Sequence, residues 1–220
     1  MTPTSADTAP KARRRVLLTG FGPFPSVTDN ASARLVAALA PLAQARHPDV
    51  AIDSEILRTE WTAAPERLRA LLEALDPDIV VGFGVAADTA GFRLETQSLN
   101  VCRPSPDALG LTPLHDSVRP DGARSHPCSA PLDAIVARLD ALGCPVSLSD
   151  NAGAYLCNAA YYHALDHAAA NARPMSIAFV HIPTDLENGA LTLQAALAGA
   201  LEIVDVCLEA NDHADGEAAT

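Results

Sequence analysis

Short apolar runs, each about the length of a buried strand, alternate along this chain with longer stretches in which leucines recur every three or four positions. A strand covered on both faces reads as a continuous apolar run, whereas a helix lying on a sheet needs only one apolar stripe. Strands separated by helices are joined by crossovers and lie parallel. The pattern therefore predicts an α/β fold: a single domain with an open, mainly parallel sheet and helices on both faces.

Residues 15–21 (RVLLTGF), 78–84 (DIVVGFG) and 176–181 (SIAFVH) read as buried strands, 50–57 and 145–148 as further strands, and 92–101 as a half-exposed β segment. Helical periodicity covers 30–45, 64–75, 132–142, 154–170 and 189–208. Asn30 is suited to cap the first helix and Pro77 to end the second. The stretch 103–131 is rich in Pro and Asp and long for a connection inside a compact domain, which suggests a lid or an oligomer contact. Residues 1–13 and 209–220 are polar or small and are expected to be disordered tails around a folded domain at 14–208.

At 220 residues and 49% hydrophobic composition, one domain has enough apolar surface to build a core. The net charge of -12, with one basic cluster at Lys11-Ala-Arg-Arg-Arg15, argues against nucleic acid as a partner. No apolar run approaches the ~18 residues a membrane helix needs, and the first residues lack the charged start and apolar middle of a secretory signal, so a cytoplasmic location is expected. The five cysteines are odd in number, irregularly spaced and form no C-x-x-C pair. That argues against a disulfide framework and against a structural zinc site.

One of those cysteines is placed differently. Ser149-Asp-Asn-Ala-Gly-Ala-Tyr-Leu-Cys-Asn158 ends a short apolar run in turn residues and sets Cys157 at the start of a helical pattern. The partial positive charge of a helix N-terminus favours the thiolate over a thiol whose ordinary pKa is about 8.5. A thiol nucleophile needs a base, and the base needs a group that fixes its tautomer. His181, at the end of the strand SIAFVH, stands where an open α/β sheet binds its ligands, and Glu95 in Phe92-Arg-Leu-Glu95 supplies a carboxylate.

Two other motifs carry less. Gly82-Phe-Gly84-Val-Ala-Ala87 fits a dinucleotide fingerprint, but the next residues, Asp88-Thr-Ala-Gly-Phe92, do not open a helix, and the turn is the third rather than the first. His163 and His167 share a helix face, yet the glutamate that a zinc peptidase uses after its first histidine is absent.

Taken together, these blocks resemble pyroglutamyl peptidase I, the pyrrolidone-carboxylate peptidase family of cysteine peptidases. The resemblance runs from about Val16 to Leu208: Leu18-Thr-Gly-Phe-Gly-Pro-Phe24 with Asn30-Ala-Ser32, then Leu94-Glu95 with Asn100, then Asn151-Ala-Gly-Ala-Tyr-Leu-Cys-Asn158, then Phe179-Val-His-Ile-Pro183. It implies removal of an N-terminal pyroglutamyl residue from a small peptide, with Cys157 as nucleophile, His181 as base and then acid, and Glu95 orienting the imidazole. It implies no metal or organic cofactor, and a homo-oligomer, dimer or tetramer. Phe21 and Phe24 are implied as apolar walls of the substrate pocket.

Two departures accompany the resemblance. Gly84-Val-Ala-Ala-Asp-Thr89 stands where the family usually reads Gly-Gln-Ala-Gly-Gly-Arg, so Val85 replaces a glutamine expected to hydrogen-bond the lactam. The segment after Asn100 runs about one residue short, leaving Arg103 as the nearest candidate for the arginine usually found near the oxyanion. A related cysteine amidohydrolase acting on another small lactam or acyl amide is the alternative, and a non-catalytic family member the third.

Overall fold

In the computed structural model, which describes residues 13–25, 27–171 and 174–218, the chain runs β1 (Arg15–Phe21), α1 (Ala31–Arg46), β2 (Ala51–Leu57), α2 (Ala63–Leu75) and β3 (Ile79–Val85). It continues through β4 (Phe92–Glu95), β5 (Gln97–Leu99), β6 (Ser125–Pro127), α3 (Leu132–Ala141), β7 (Val146–Ser149), α4 (Leu156–Ala170), β8 (Ser176–Ile182) and α5 (Leu193–Ala218). Asn30 caps α1 as expected, accepting from the Ser32 backbone N–H at 3.1 Å.

Six strands form one sheet in the order β2-β1-β3-β8-β4-β7. All neighbours are parallel except β4 and β8, which run antiparallel. Strands β3 and β8 lie in the middle and are buried almost throughout, which is why their sequences are continuous apolar runs. Two cores arise from the pleat. Val81, Phe83 and Val180 pack with α1, α3 and α5 on one face, while Val80, Ile177 and Phe179 pack with α2 and α4 on the other.

Three sequence expectations change. The segment 92–101 is not one half-exposed β segment: β4 is an interior strand with Phe92, Leu94 and Glu95 fully buried, and β5 leaves the sheet to pair with β6 in a separate antiparallel ribbon. The ribbon also gives the stretch 103–131 a strand of its own. The final helix does not stop at Leu208 but runs to Ala218, past the point where its apolar stripe fades. The expectation for the N-terminal tail falls on residues outside those described except at Arg13, whose guanidinium donates to the carbonyls of Pro48, Asp49 and Val50.

Candidate active site

The turn Asn151-Ala-Gly153 delivers the chain into α4. Gly153 adopts φ +82°, a left-handed conformation that residues with a Cβ rarely adopt, and its N–H donates to the Asn151 side chain at 3.0 Å. Tyr155 follows in extended backbone at the N-cap and offers no side-chain cap. The first-turn N–H groups of α4 therefore point outward without a capping side chain, and Cys157 sits among them.

His181 lies on β8, its Cα in register with Gly84 of β3 on one side and with Arg93 of β4 on the other. Its Nδ1 is 2.7 Å from Glu95 Oε1, and the Cys157 side chain is close enough to act on the same ring. Phe179 packs edge-on against the imidazole at 5.2 Å. Burial by itself would depress the imidazole, but the hydrogen bonds and charges of Cys157 and Glu95 outweigh it and push the pKa up to about 9. Glu95 is fully buried, and its backbone carbonyl accepts from the Tyr161 hydroxyl at 3.1 Å.

Gly84 makes room for the thiol. A Cβ on Gly84 would lie 2.7 Å from Cys157 Sγ and 3.1 Å from the Phe179 ring, so this position of β3 faces the Cys157 thiol. Successive strand residues face opposite ways, and the Val85 side chain accordingly packs against the core under α1 and α5, away from Cys157.

The two phenylalanines of the first loop part company. Phe21 is core, 3% exposed and packed with Leu57 and Phe179. Phe24 is partly exposed, its ring 6.0 Å from that of Tyr155, and with Pro25, Ser105, Pro106 and Tyr155 it lines an open cavity of about 400 Å³ beside the start of α4. Local sequence did not single out Tyr155, which lines this cavity, or Trp61 and Asp107, which brace its lining residues. Trp61 stacks edge-on against Tyr155 at 5.2 Å and donates its indole N–H to the Ser105 carbonyl at 2.8 Å. The Tyr155 hydroxyl donates to the Pro106 carbonyl at 3.1 Å, and buried Asp107 accepts from the N–H groups of Trp61, Leu109 and Leu111. Burial pushes the Tyr155 phenol up to about 12, so it stays a donor. The one signal available was that Trp61 is the chain's sole tryptophan.

Arg103 is exposed, and its backbone N–H donates to the Ala154 carbonyl at 2.8 Å, which brings it beside the turn before α4. Asn158, fully buried one residue after Cys157, bonds Leu99 twice and Val101 once, tying α4 to β5. Among the other cysteines, burial pushes the Cys102 and Cys207 thiols up to about 11 and about 12, which removes them as thiolates at neutral pH. Among the described residues no group of three or more His, Cys, Asp or Glu side chains is arranged to hold a metal ion, and no helix is long and apolar enough to cross a membrane.

A family model described as pyroglutamyl peptidase matches residues 14–205. The chain belongs to the pyroglutamyl peptidase family. Within that family it is 35% identical over 170 residues to the pyrrolidone-carboxylate peptidase of Gloeobacter violaceus, covering 77% of this chain and 81% of the relative. It is 32% identical over 193 residues to that of Pseudomonas fluorescens, covering 84% and 89%. A mutant pyrrolidone carboxyl peptidase from Pyrococcus furiosus superposes with a TM-score of 0.82 at 25% identity, covering 89% of this chain and 98% of its own. Pyroglutamyl peptidase I of Bacillus amyloliquefaciens gives 0.79 at 26% identity, covering 88% and 96%. This pyroglutamyl peptidase family member has the same α/β sheet flanked by helices.

Proposed function

We propose that the chain is a cysteine peptidase that removes N-terminal pyroglutamate from peptides, with Cys157 as nucleophile, His181 as acid and base, and Glu95 as the group that orients the imidazole. The observation that carries this reading is the grouping of Cys157, His181 and Glu95, in which the imidazole bonds a buried carboxylate at 2.7 Å while Cys157, at a helix start, helps to raise the imidazole pKa.

In this reading Cys157 Sγ attacks the carbonyl joining pyroglutamate to the next residue, forming a C–S bond. The oxyanion is held by the uncapped N–H groups at the start of α4, worth on the order of 3 kcal/mol per donor. Collapse breaks the C–N bond as the His181 imidazolium gives its proton to the leaving amine. His181, now neutral, takes a proton from water, which attacks the thioester and releases pyroglutamate and the thiol. The Phe24–Tyr155 cavity takes the flat, uncharged lactam ring, and Arg103, whose backbone bonds Ala154 just before α4, is the candidate for an oxyanion arginine.

The free state of all five cysteines suits a reducing, cytoplasmic compartment. Leu109, Leu111 and Leu114, which are 61%, 58% and 93% exposed on the long loop, suit a contact between copies of the chain in a dimer or tetramer. One observation favours a second reading. After Val85, the residues Ala87-Asp-Thr89 depart from the usual family pattern, which supports a cysteine amidohydrolase for another small lactam or acyl amide.

The test uses a fluorogenic pyroglutamyl amide beside acetyl and prolyl analogues, before and after iodoacetamide, with Cys157→Ala in parallel. Pyroglutamyl-selective turnover lost on alkylation is the expected result. Thiol-dependent cleavage of only another amide moves the assignment to the second reading, and full activity in Cys157→Ala would overturn both.

A further inference from the structure

Glu95 does not serve His181 alone. Arg93, two residues earlier on the same strand, faces His181 in register across the antiparallel β4–β8 pair. Its Nε donates to Glu95 Oε1 at 3.3 Å, the oxygen that His181 Nδ1 also contacts. Its Nη1 bonds Asp88 Oδ1 at 2.9 Å in the loop after β3. The Arg93 side chain is 20% exposed and Asp88 78% exposed, so the ion chain runs from solvent inward to a carboxylate with none of its surface exposed. Glu95 Oε2 has no hydrogen-bond partner among the described residues, so all of the carboxylate's bonding falls on the shared oxygen.

Two cations on one oxygen compete for it. A guanidinium keeps its charge at every working pH, whereas the imidazolium holds its proton only as firmly as the surrounding charges allow. A fixed positive charge beside Glu95 weakens the carboxylate's pull on the His181 proton and, through the same field, favours the Cys157 thiolate. Among the described residues, α4 contributes Cys157 to the surroundings of the imidazole and the Tyr161 phenol on the Glu95 carbonyl, the loop after β3 contributes Asp88, β4 contributes Glu95 and Arg93, and β7 sets uncharged Ser149 in register with Glu95.

We propose that Arg93, anchored by Asp88, is a positioning residue that sets the pH range over which Cys157 and His181 stand as thiolate and imidazolium. The inference rests on the Cys157–His181–Glu95 reading of the site and adds to it a group that touches neither substrate nor thiol.

The experiment compares Arg93→Met, Arg93→Lys and Asp88→Asn by two pH profiles: pyroglutamyl amide turnover, and iodoacetamide alkylation of Cys157 located by peptide mass. Arg93→Met is expected to move both inflections up by about half to one pH unit, the size of shift one charge at this distance and exposure produces. Arg93→Lys keeps the charge and holds them in place. Asp88→Asn removes a charge of the opposite sign and moves them slightly down, and its exposed position keeps it measurable if Arg93→Met does not fold. A fall in rate with unmoved inflections in Arg93→Met, or unmoved inflections in Asp88→Asn where that variant alone folds, would overturn the proposal. Alkylation needs no substrate, so shifted alkylation without pyroglutamyl turnover supports the role of Arg93 and rejects the substrate.

Discussion

Glu95 Oε1 lies 2.7 Å from His181 Nδ1, a contact between two side chains 86 residues apart and both buried. Glu95→Gln keeps the shape and removes the charge. The imidazole then loses one of the partners that hold its pKa up near 9, so the alkaline limb of turnover moves to lower pH. A fall in kcat of about 10²- to 10⁴-fold is expected, the range seen when an orienting carboxylate is neutralised. Stability should follow the same sign. A histidine raised above its ordinary value of about 6.5 stabilises the fold in full below that pH and loses the contribution as the pH climbs through about 9. Melting temperatures of the wild type and Glu95→Gln should therefore differ most below pH ~6.5 and converge above about 9.

Gly84→Ala tests the space beside the thiol. The new methyl would stand 2.7 Å from Cys157 Sγ, and the thiol, at the end of a short side chain, is the atom that gives way. Activity should fall by at least about 10²-fold, the scale of a misplacement of about 1 Å. The accompanying loss of stability, from the clash with the Phe179 ring, should be about 1 to 3 kcal/mol by thermal or urea unfolding. Wild-type kcat with normal alkylation would show that Gly84 does not bound the Cys157 thiol.

Val85→Gln addresses the departure from the usual family residues. Val85 packs against the α1–α5 core, on the opposite side of the sheet from Cys157, so the amide of a glutamine there is directed away from the thiol. The expected change in kcat/KM for a pyroglutamyl amide is under about 5-fold, less than the loss of a direct substrate hydrogen bond would give. A larger gain would place the side chain of this position in the lactam pocket.

His163 governs acid sensitivity. Burial first, with Arg69 nearby, lowers its pKa to about 4. The unfolded chain takes up that proton near pH ~6.5, so the stability His163 confers is present above that pH and is lost as the pH falls through about 4. In His163→Leu the melting temperature should decline less steeply between pH ~6.5 and 4 than in the wild type. Identical slopes in calorimetry would refute the assignment.

The order of apolar runs determined the fold class, because strands covered on both faces and helices striped on one leave different periodicities in the chain. Local sequence also placed Cys157 at a helix start and His181 at a strand end, since turn residues and an apolar run are both local signals. Tertiary structure decided what local patterns do not carry. The antiparallel pairing of β4 with β8 brought Arg93 opposite His181 and Glu95 onto its Nδ1, and strand pairing between distant segments depends on which faces the helices cover. The pleat decided that Gly84 faces the thiol while Val85 faces the opposite core, and the end of β1 at Phe21 decided that Phe21 is packing while Phe24, beyond the strand, borders the cavity. Trp61 and Asp107 became part of the site only because a long loop folds back to satisfy its backbone groups on them, a long-range hydrogen-bonding requirement that has no period in the sequence.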